Sequence, residues 1–222
     1  MKKKWILILT TIWTLMLISC LTDTKTKNQS SNSTFVKMKD SLIINHIILD
    51  LEASCWKDRS VKKQNEIIEI GAIKVDGNGK IISEFSEFVK PKLNPELSNF
   101  CKELTTIEQS DIDSADTFDK VLDRFTKWIK LDEPYILCSW GFYDKNQFAK
   151  DCDLHKLDKN WLNNHISLKH QYANIKKLDK AIGMEGALKL EGFELDGTHH
   201  RGIDDARNIL KIFKANIDKW EK

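Results

Sequence analysis

No two cysteines of this 222-residue chain form a Cys-x-x-Cys pair. That absence removes the usual spacing of a zinc site or a dithiol redox centre. Cys20, Cys55, Cys101, Cys138 and Cys152 are scattered, and the last three sit among apolar neighbours, as buried thiols do. No internal repeat is visible. Excess positive charge is also missing from the body of the chain. Residues 1–37 hold six lysines and one aspartate, a net charge of +5, against +2 for the whole chain, which leaves −3 for residues 38–222. A protein that coats a long duplex needs many Lys and Arg to neutralise phosphates, so that class is excluded. An apolar run long enough to cross a membrane is lacking too, because the stretch from Trp5 to Ser19 is short for a spanning helix. The length fits one domain of about 180 residues once a tail is subtracted.

What the chain has is four carboxylates and a histidine in a fixed order. Asp50 and Glu52 follow the apolar run Ile43 to Leu49, which is interrupted by Asn45 and His46 and reads as a buried strand. Positions two apart on a strand share a face, so both carboxylates can reach one cation while Leu51 turns into the core. By itself an Asp-x-Glu pair is also a common strand ending. Asp144 lies just past a second apolar run, Tyr135 to Trp140, and past Gly141. At such a junction an aspartate ordinarily caps a helix. Residues 203–217 have helical periodicity, with Asp205, Ile209 and Ile212 on one stripe and Asp204, Asn208 and Lys211 on a polar one. Asp205 is therefore the inward acid and Asp204 the solvated one. A carboxylate beside an apolar stripe is costly unless something pairs with it, and a metal ion would do so. His200 and His199 precede this helix, and either imidazole titrates near neutrality, as a general base must.

Four acids at one point would repel until some were neutral. Two divalent cations remove that conflict and create a site that cleaves phosphodiesters.

Taken together, these residues resemble the DEDDh family of 3′→5′ exonucleases, whose pattern is Asp-x-Glu, Asp, then His-x-x-x-x-Asp. Here the pattern is Asp50, Glu52, Asp144, His200 and Asp205, and its spacing selects His200 over His199. The likeness is greater to the branch of enhanced-RNAi-type and 3′ histone-mRNA exonucleases and the bacterial sporulation-kinase inhibitor KapD. It runs through Asp50-Leu-Glu-Ala-Ser-Cys-Trp56, Glu66 to Val75, Phe100 to Phe118 and His199 to Ile209, with Gly202 where many relatives have Ala. The resemblance implies a ribonuclease-H-like α/β fold with a mixed five-stranded sheet flanked by helices. It implies Mg²⁺ or Mn²⁺ as two ions held by Asp50, Glu52 and Asp205, with Asp144 assisting at the second, and His200, which takes a proton from water, and Glu52 as catalytic residues. It implies contact of Ala53, Glu52 and His200 with the terminal nucleotide, and single-stranded 3′ ends as partner, RNA favoured over DNA. Trp56 and Phe142 are candidates for stacking on a base. Lys57, Arg59, Lys62 and Lys63, and Lys169, His170, Lys176 and Lys177, form two basic clusters. The alternative function is a regulator that uses the fold to bind protein, as the KapD likeness allows.

The amino terminus follows a different logic. Lys2 to Lys4, the apolar stretch and Leu17-Ile18-Ser19-Cys20 look like a bacterial lipoprotein signal over residues 1–20, with Cys20 lipidated and the domain anchored to a membrane. A polar tether over 21–40 would precede an exonuclease domain at 41–220. The competing reading is a cytoplasmic protein translated from Met38.

The remaining pattern predicts strands at 43–51, 66–76, 80–89, 135–140 and 166–168. Helical segments are expected at 96–109, 117–130, 144–153, 169–179, 184–190 and 203–217. Asp76-Gly-Asn-Gly79 is the expected turn of a hairpin. A hairpin followed by alternating helices and strands implies a mixed sheet with helices on both faces.

Overall fold

A computed structural model describes residues 44–58, 60 and 62–221. The lipoprotein-type segment at 1–20, Cys20 and the tether at 21–40 lie outside the described residues. From Ile44 onward the chain packs as one unit.

Five strands form one sheet in the order β3-β2-β1-β4-β5. They are β1 (Asn45–Ala53), β2 (Ile67–Val75), β3 (Ile81–Phe88), β4 (Tyr135–Ser139) and β5 (His165–Ser167). The first three are antiparallel neighbours, whereas β1–β4 and β4–β5 pair in parallel. The expected hairpin turn is present: Asp76 accepts from the backbone N–H groups of Asn78 and Lys80 through its side chain, each at 2.9 Å. Gly79 supplies the positive φ of +75° that this turn needs.

Alternation along β1 sets the two faces of the sheet. Ile47, Leu49 and Leu51 point into one core, which is closed by α3 (Phe118–Ile129), α4 (Tyr143–His155) and Trp161. Ile48 points the other way, into a core closed by α5 (Leu168–Ile175), α6 (Met184–Leu190) and α7 (Gly202–Ala215). Asp50 and Glu52 share the face of Ile48, by the same period of two. They therefore look towards α7. Helix α3 forms because Phe118, Val121, Leu122, Phe125 and Ile129 make one apolar stripe, all of it buried.

Two short helices, α1 (Asn99–Thr105) and α2 (Gln109–Ser114), lie where the sequence suggested a single piece ending near 109. The second is opened by a reciprocal capping box between Glu108 and Asp111. The 3₁₀ turn at Asn160–Asn163 was also unexpected. Asn208 departs from its expected place on a polar stripe. It is fully buried and holds the loop before α7, accepting from Asp196 N–H at 3.0 Å and donating to the carbonyls of Asp196 and Asp204. Asp204 is half-buried rather than solvated, and it accepts from Thr198 N–H at 3.0 Å.

Helix α7 meets the sheet backbone to backbone. A Cβ on Gly71 of β2 would stand 2.0 Å from the carbonyl carbon of Gly202 and 2.1 Å from the nitrogen of Ile203. No side chain fits there. Replacement of Gly71 by Ala should therefore destabilise the domain by about 1–3 kcal/mol or more in urea unfolding. Gly77→Ala, whose Cβ would meet nothing within 4 Å, should change stability by less than about 1 kcal/mol. Similar effects from the two substitutions would refute this close packing.

Candidate active site

The close approach of α7 determines where Asp205 falls. Asp50 pairs with Gly71 across the β1–β2 ladder, so the strand residue that bears the first acid lies beside the one that admits the helix. Gly202 itself has little room. A Cβ there would sit 3.0 Å from the Asp50 carbonyl oxygen and 3.1 Å from Gly71 N, which accounts for the glycine at this position. Glu69 of β2, fully buried, accepts from the N–H of Gly202 at 3.0 Å and from Arg201 Nε at 3.1 Å. It thereby satisfies one of the open N–H groups at the start of α7, where negative charge is favoured. Asp205, one turn in, is 3% exposed and faces β1.

Asp144 arrives from the other core. It is the second residue of α4, and the cap position belongs to Phe142, which makes no side-chain cap hydrogen bond. Asp144 is thus not the N-cap itself, although its carboxylate accepts from its own backbone N–H in the first turn and from Ser139. Its Oδ1 also accepts from the backbone N–H of Leu51 at 3.2 Å, which ties α4 to the strand between Asp50 and Glu52.

Carboxylate oxygens of Asp50, Glu52 and Asp205 all lie within 4.8 Å of one another. A cleft of about 260 Å³ is lined by Asp50, Glu52, Asp144, Asp205, His199 and His200, with Leu51, Trp140, Tyr143 and Met184 completing its walls. No Lys or Arg is among these lining residues. Burial, then Asp144, Glu52 and Asp205, push the carboxyl of Asp50 well above its ordinary value. Burial and Asp205 push Glu52 up to about 8. Asp144 rises to about 6 by burial, held back by the hydrogen bonds it accepts. Such a cluster is electrostatically incomplete, and hard oxygen donors at this spacing fit a divalent cation.

The two histidines divide their work. His199 Nδ1 sits 3.0 Å from Asp205 Oδ1. His200 offers its backbone N–H to Asp205 Oδ2 at 2.9 Å, and its ring stacks on that of His199 at 4.0 Å. Its φ of +63° is a left-handed conformation uncommon for a non-glycine residue and typical of functional positions. Burial and the neighbouring His199 hold the His200 imidazole below its ordinary value, so it is neutral at neutral pH and free to accept a proton.

All four acids and His200 therefore come together as the sequence pattern suggested. Ala53 does not line the cleft; it is buried just past a register shift in β1, with its carbonyl near Cys101 Sγ. Trp56 is half-exposed beneath the Lys63 ammonium, 5.3 Å from its ring centre, and Phe142 is 49% exposed, so neither is a core residue. Lys57, Lys62 and Lys63 are exposed, whereas Lys176 is ion-paired with Glu191 at 2.7 Å. Cys101, Cys138 and Cys152 are buried free thiols, as expected. Sequence reasoning missed Trp140, Tyr143 and Met184 as cleft walls and Glu69 as the anchor of α7. For Tyr143 a signal existed, since it directly precedes Asp144.

The family model for RNase T-type exonucleases matches residues 47–213, which hold every one of these side chains. The chain belongs to this exonuclease family. The human 3′-5′ exoribonuclease 1 is 33% identical over 178 residues, an alignment that covers 74% of this chain and 50% of that protein. The chain thus spans about half the length of this curated relative. Among solved structures, the nuclease domain of 3′hExo, a DEDDh family member bound to rAMP, superposes with a TM-score of 0.73 at 30% identity, covering 81% of this chain and 94% of that one. A 3′-exonuclease in 3′-end-specific recognition of a histone mRNA stem-loop gives the same TM-score of 0.73 at 30% identity, over 81% of this chain and 84% of that one. This exonuclease family is divalent-metal dependent, and the donor set at Asp50, Glu52 and Asp205 agrees with that.

The acid cluster has a consequence for stability. Glu52 titrates near 8 in the fold, above the ~4.3 of an exposed glutamate. The folded state therefore binds this proton more tightly than the unfolded state. The resulting stability is present at low pH and is lost as pH rises through about 8. In EDTA, the melting temperature of the wild type should fall from about pH 5 to about pH 8 more steeply than that of Glu52→Gln. Millimolar Mg²⁺ or Mn²⁺ should raise it more at the higher pH. Parallel pH profiles for the two proteins would contradict the repulsion described.

Proposed function

We propose that this exonuclease-family protein hydrolyses phosphodiester bonds from the 3′ end of single-stranded nucleic acid, RNA in preference to DNA, and releases 5′-mononucleotides. The observation that carries this reading is the convergence of Asp50, Glu52 and Asp205 within 4.8 Å, in a cleft that also contains Asp144 and His200. Asp50, Glu52 and Asp205 would hold two Mg²⁺ or Mn²⁺ ions, with Asp144 assisting at the second. Bound there, the ions supply Lewis acidity for the attacking water and for the departing 3′ oxygen.

The chain's own residues do the rest. His200, kept neutral by burial, accepts the proton of the attacking water. His199 holds Asp205 in orientation through Nδ1. Leu51 N–H fixes Asp144, and Glu69 fixes the helix that presents Asp205. Trp140, Tyr143 and Met184 form apolar walls suited to the sugar and base of one terminal nucleotide. Preference for RNA is supported by the exoribonuclease relatives. A pure protein-binding role would leave this uncompensated acid cluster without a purpose.

The test uses 5′-labelled single-stranded RNA and DNA of one sequence with Mg²⁺ or Mn²⁺. A ladder shortening from the 3′ end, faster on RNA and abolished by EDTA, is the expected result. Asp50→Ala should abolish it, and His200→Ala should lower kcat by roughly 10²–10⁴-fold. A folded protein that cleaves neither strand with either metal would overturn the reading.

A further inference from the structure

Phe142 is unusual for the place it occupies. It sits at the N-cap of α4, where Ser, Thr, Asp or Asn would satisfy open backbone N–H groups. It makes no cap hydrogen bond there. Nor does it fill the core, since it remains 49% exposed. Its ring instead stacks on the exposed ring of His170, with centroids 5.0 Å apart and planes 27° from parallel. His170 is itself fixed, its Nδ1 lying 2.6 Å from Ser167 Oγ. His165 also lies 5.8 Å from the Phe142 ring. Two rings, one exposed and one half-exposed, are thus stacked at the surface.

The position of this pair limits what it can meet. Phe142 directly precedes Tyr143 and Asp144, which both line the cleft, while its own ring lies outside that lining. Lys169 runs its methylenes past Gly141, and burial, with Lys145 nearby, depresses the His165 imidazole. Neither lysine forms an ion pair among the described residues, so both ammonium groups are available to a ligand. Exposed aromatic faces with lysines nearby, adjoining in the chain two residues of the acidic cleft, suit a base with its phosphate.

We propose that Phe142 and His170 form a stacking platform for a base upstream of the terminal nucleotide of a single-stranded substrate, with Lys145 and Lys169 facing its phosphates. The platform lies outside the acid cluster and acts through binding alone. It rests on the exonuclease reading for the identity of the strand, and the experiment below separates the two.

Two readouts on the full chain are compared. One is fluorescence anisotropy with a 5′-labelled eight-nucleotide single-stranded RNA in Ca²⁺. The other is hydrolysis in Mn²⁺ of a nitrophenyl ester of one 5′-nucleotide, too short to reach the platform. Phe142→Ala and His170→Ala should weaken RNA binding by roughly 5- to 100-fold, the range expected for one stacked base. Phe142→Trp should bind like the wild type, and Phe142→Leu should not. An abasic site just upstream of the last nucleotide should weaken wild-type binding and add nothing to Phe142→Ala. Ester hydrolysis should be unchanged in all four variants. Wild-type affinity in Phe142→Ala, or wild-type indifference to the abasic site, would overturn the platform. Failure of the wild type to hydrolyse the ester or shorten RNA would overturn the exonuclease reading, while the binding arm still judges the platform.

Discussion

The backbone contact between Gly71 and Gly202 is the constraint on which the site depends. Strand β2 bears a side chain at every other position of its core-facing stretch, and any of them at position 71 would push α7 outward. With glycine there, the first turn of the helix rests on the ladder beside Asp50. Glu69, two residues earlier on the same strand, then clamps the helix start through Gly202 N–H and Arg201. Position along the helix does the remainder. Asp205 falls one turn in, on the side that faces β1, and meets Asp50 and Glu52 while His199 and His200 hold its carboxylate.

That rigidity has an electrostatic consequence. Three carboxylates are brought within 4.8 Å and a fourth shares their cleft, with no Lys or Arg lining it among the described residues. A flexible site would relax by spreading the charges apart. This one cannot, because two of the acids are on the central strand, one is tied to that strand through Leu51 N–H, and one is on a clamped helix. Burial and this repulsion together raise the proton affinity of Asp50 and Glu52, and burial raises that of Asp144. The same repulsion makes the cluster a receptor for cations. The folded scaffold, rather than the ligands, supplies the preorganisation.

Local periodicity carried much of this in the sequence. The period of two put Asp50 and Glu52 on one face, and the helical stripe separated Asp205 from Asp204. Both assignments depend only on neighbours in the chain. Glu69 was invisible because its partners are 132 and 133 residues away, and nothing in Ile-Ile-Glu-Ile-Gly marks which acid will cap a distant helix. Asp144 was ambiguous for a related reason. Near a helix start an aspartate is expected to bond its own helix, as Asp144 does, and only the tertiary pairing with Leu51 adds its tie to the central strand. Asn208 was misplaced because a helical wheel cannot foresee a loop folding back over a polar stripe to be held by it. The strands were located to within about two residues, the usual uncertainty at element ends.

On the proposed function the acids form a receptor for two divalent ions on a fixed frame. Titration of the full chain with Mn²⁺, followed by calorimetry and by the loss of the free-ion electron paramagnetic resonance signal, tests it most directly. Two ions per chain are predicted, with Asp205→Asn losing both and Asp144→Asn weakening one. Absence of binding, or binding that survives Asp205→Asn unchanged, would contradict the claim.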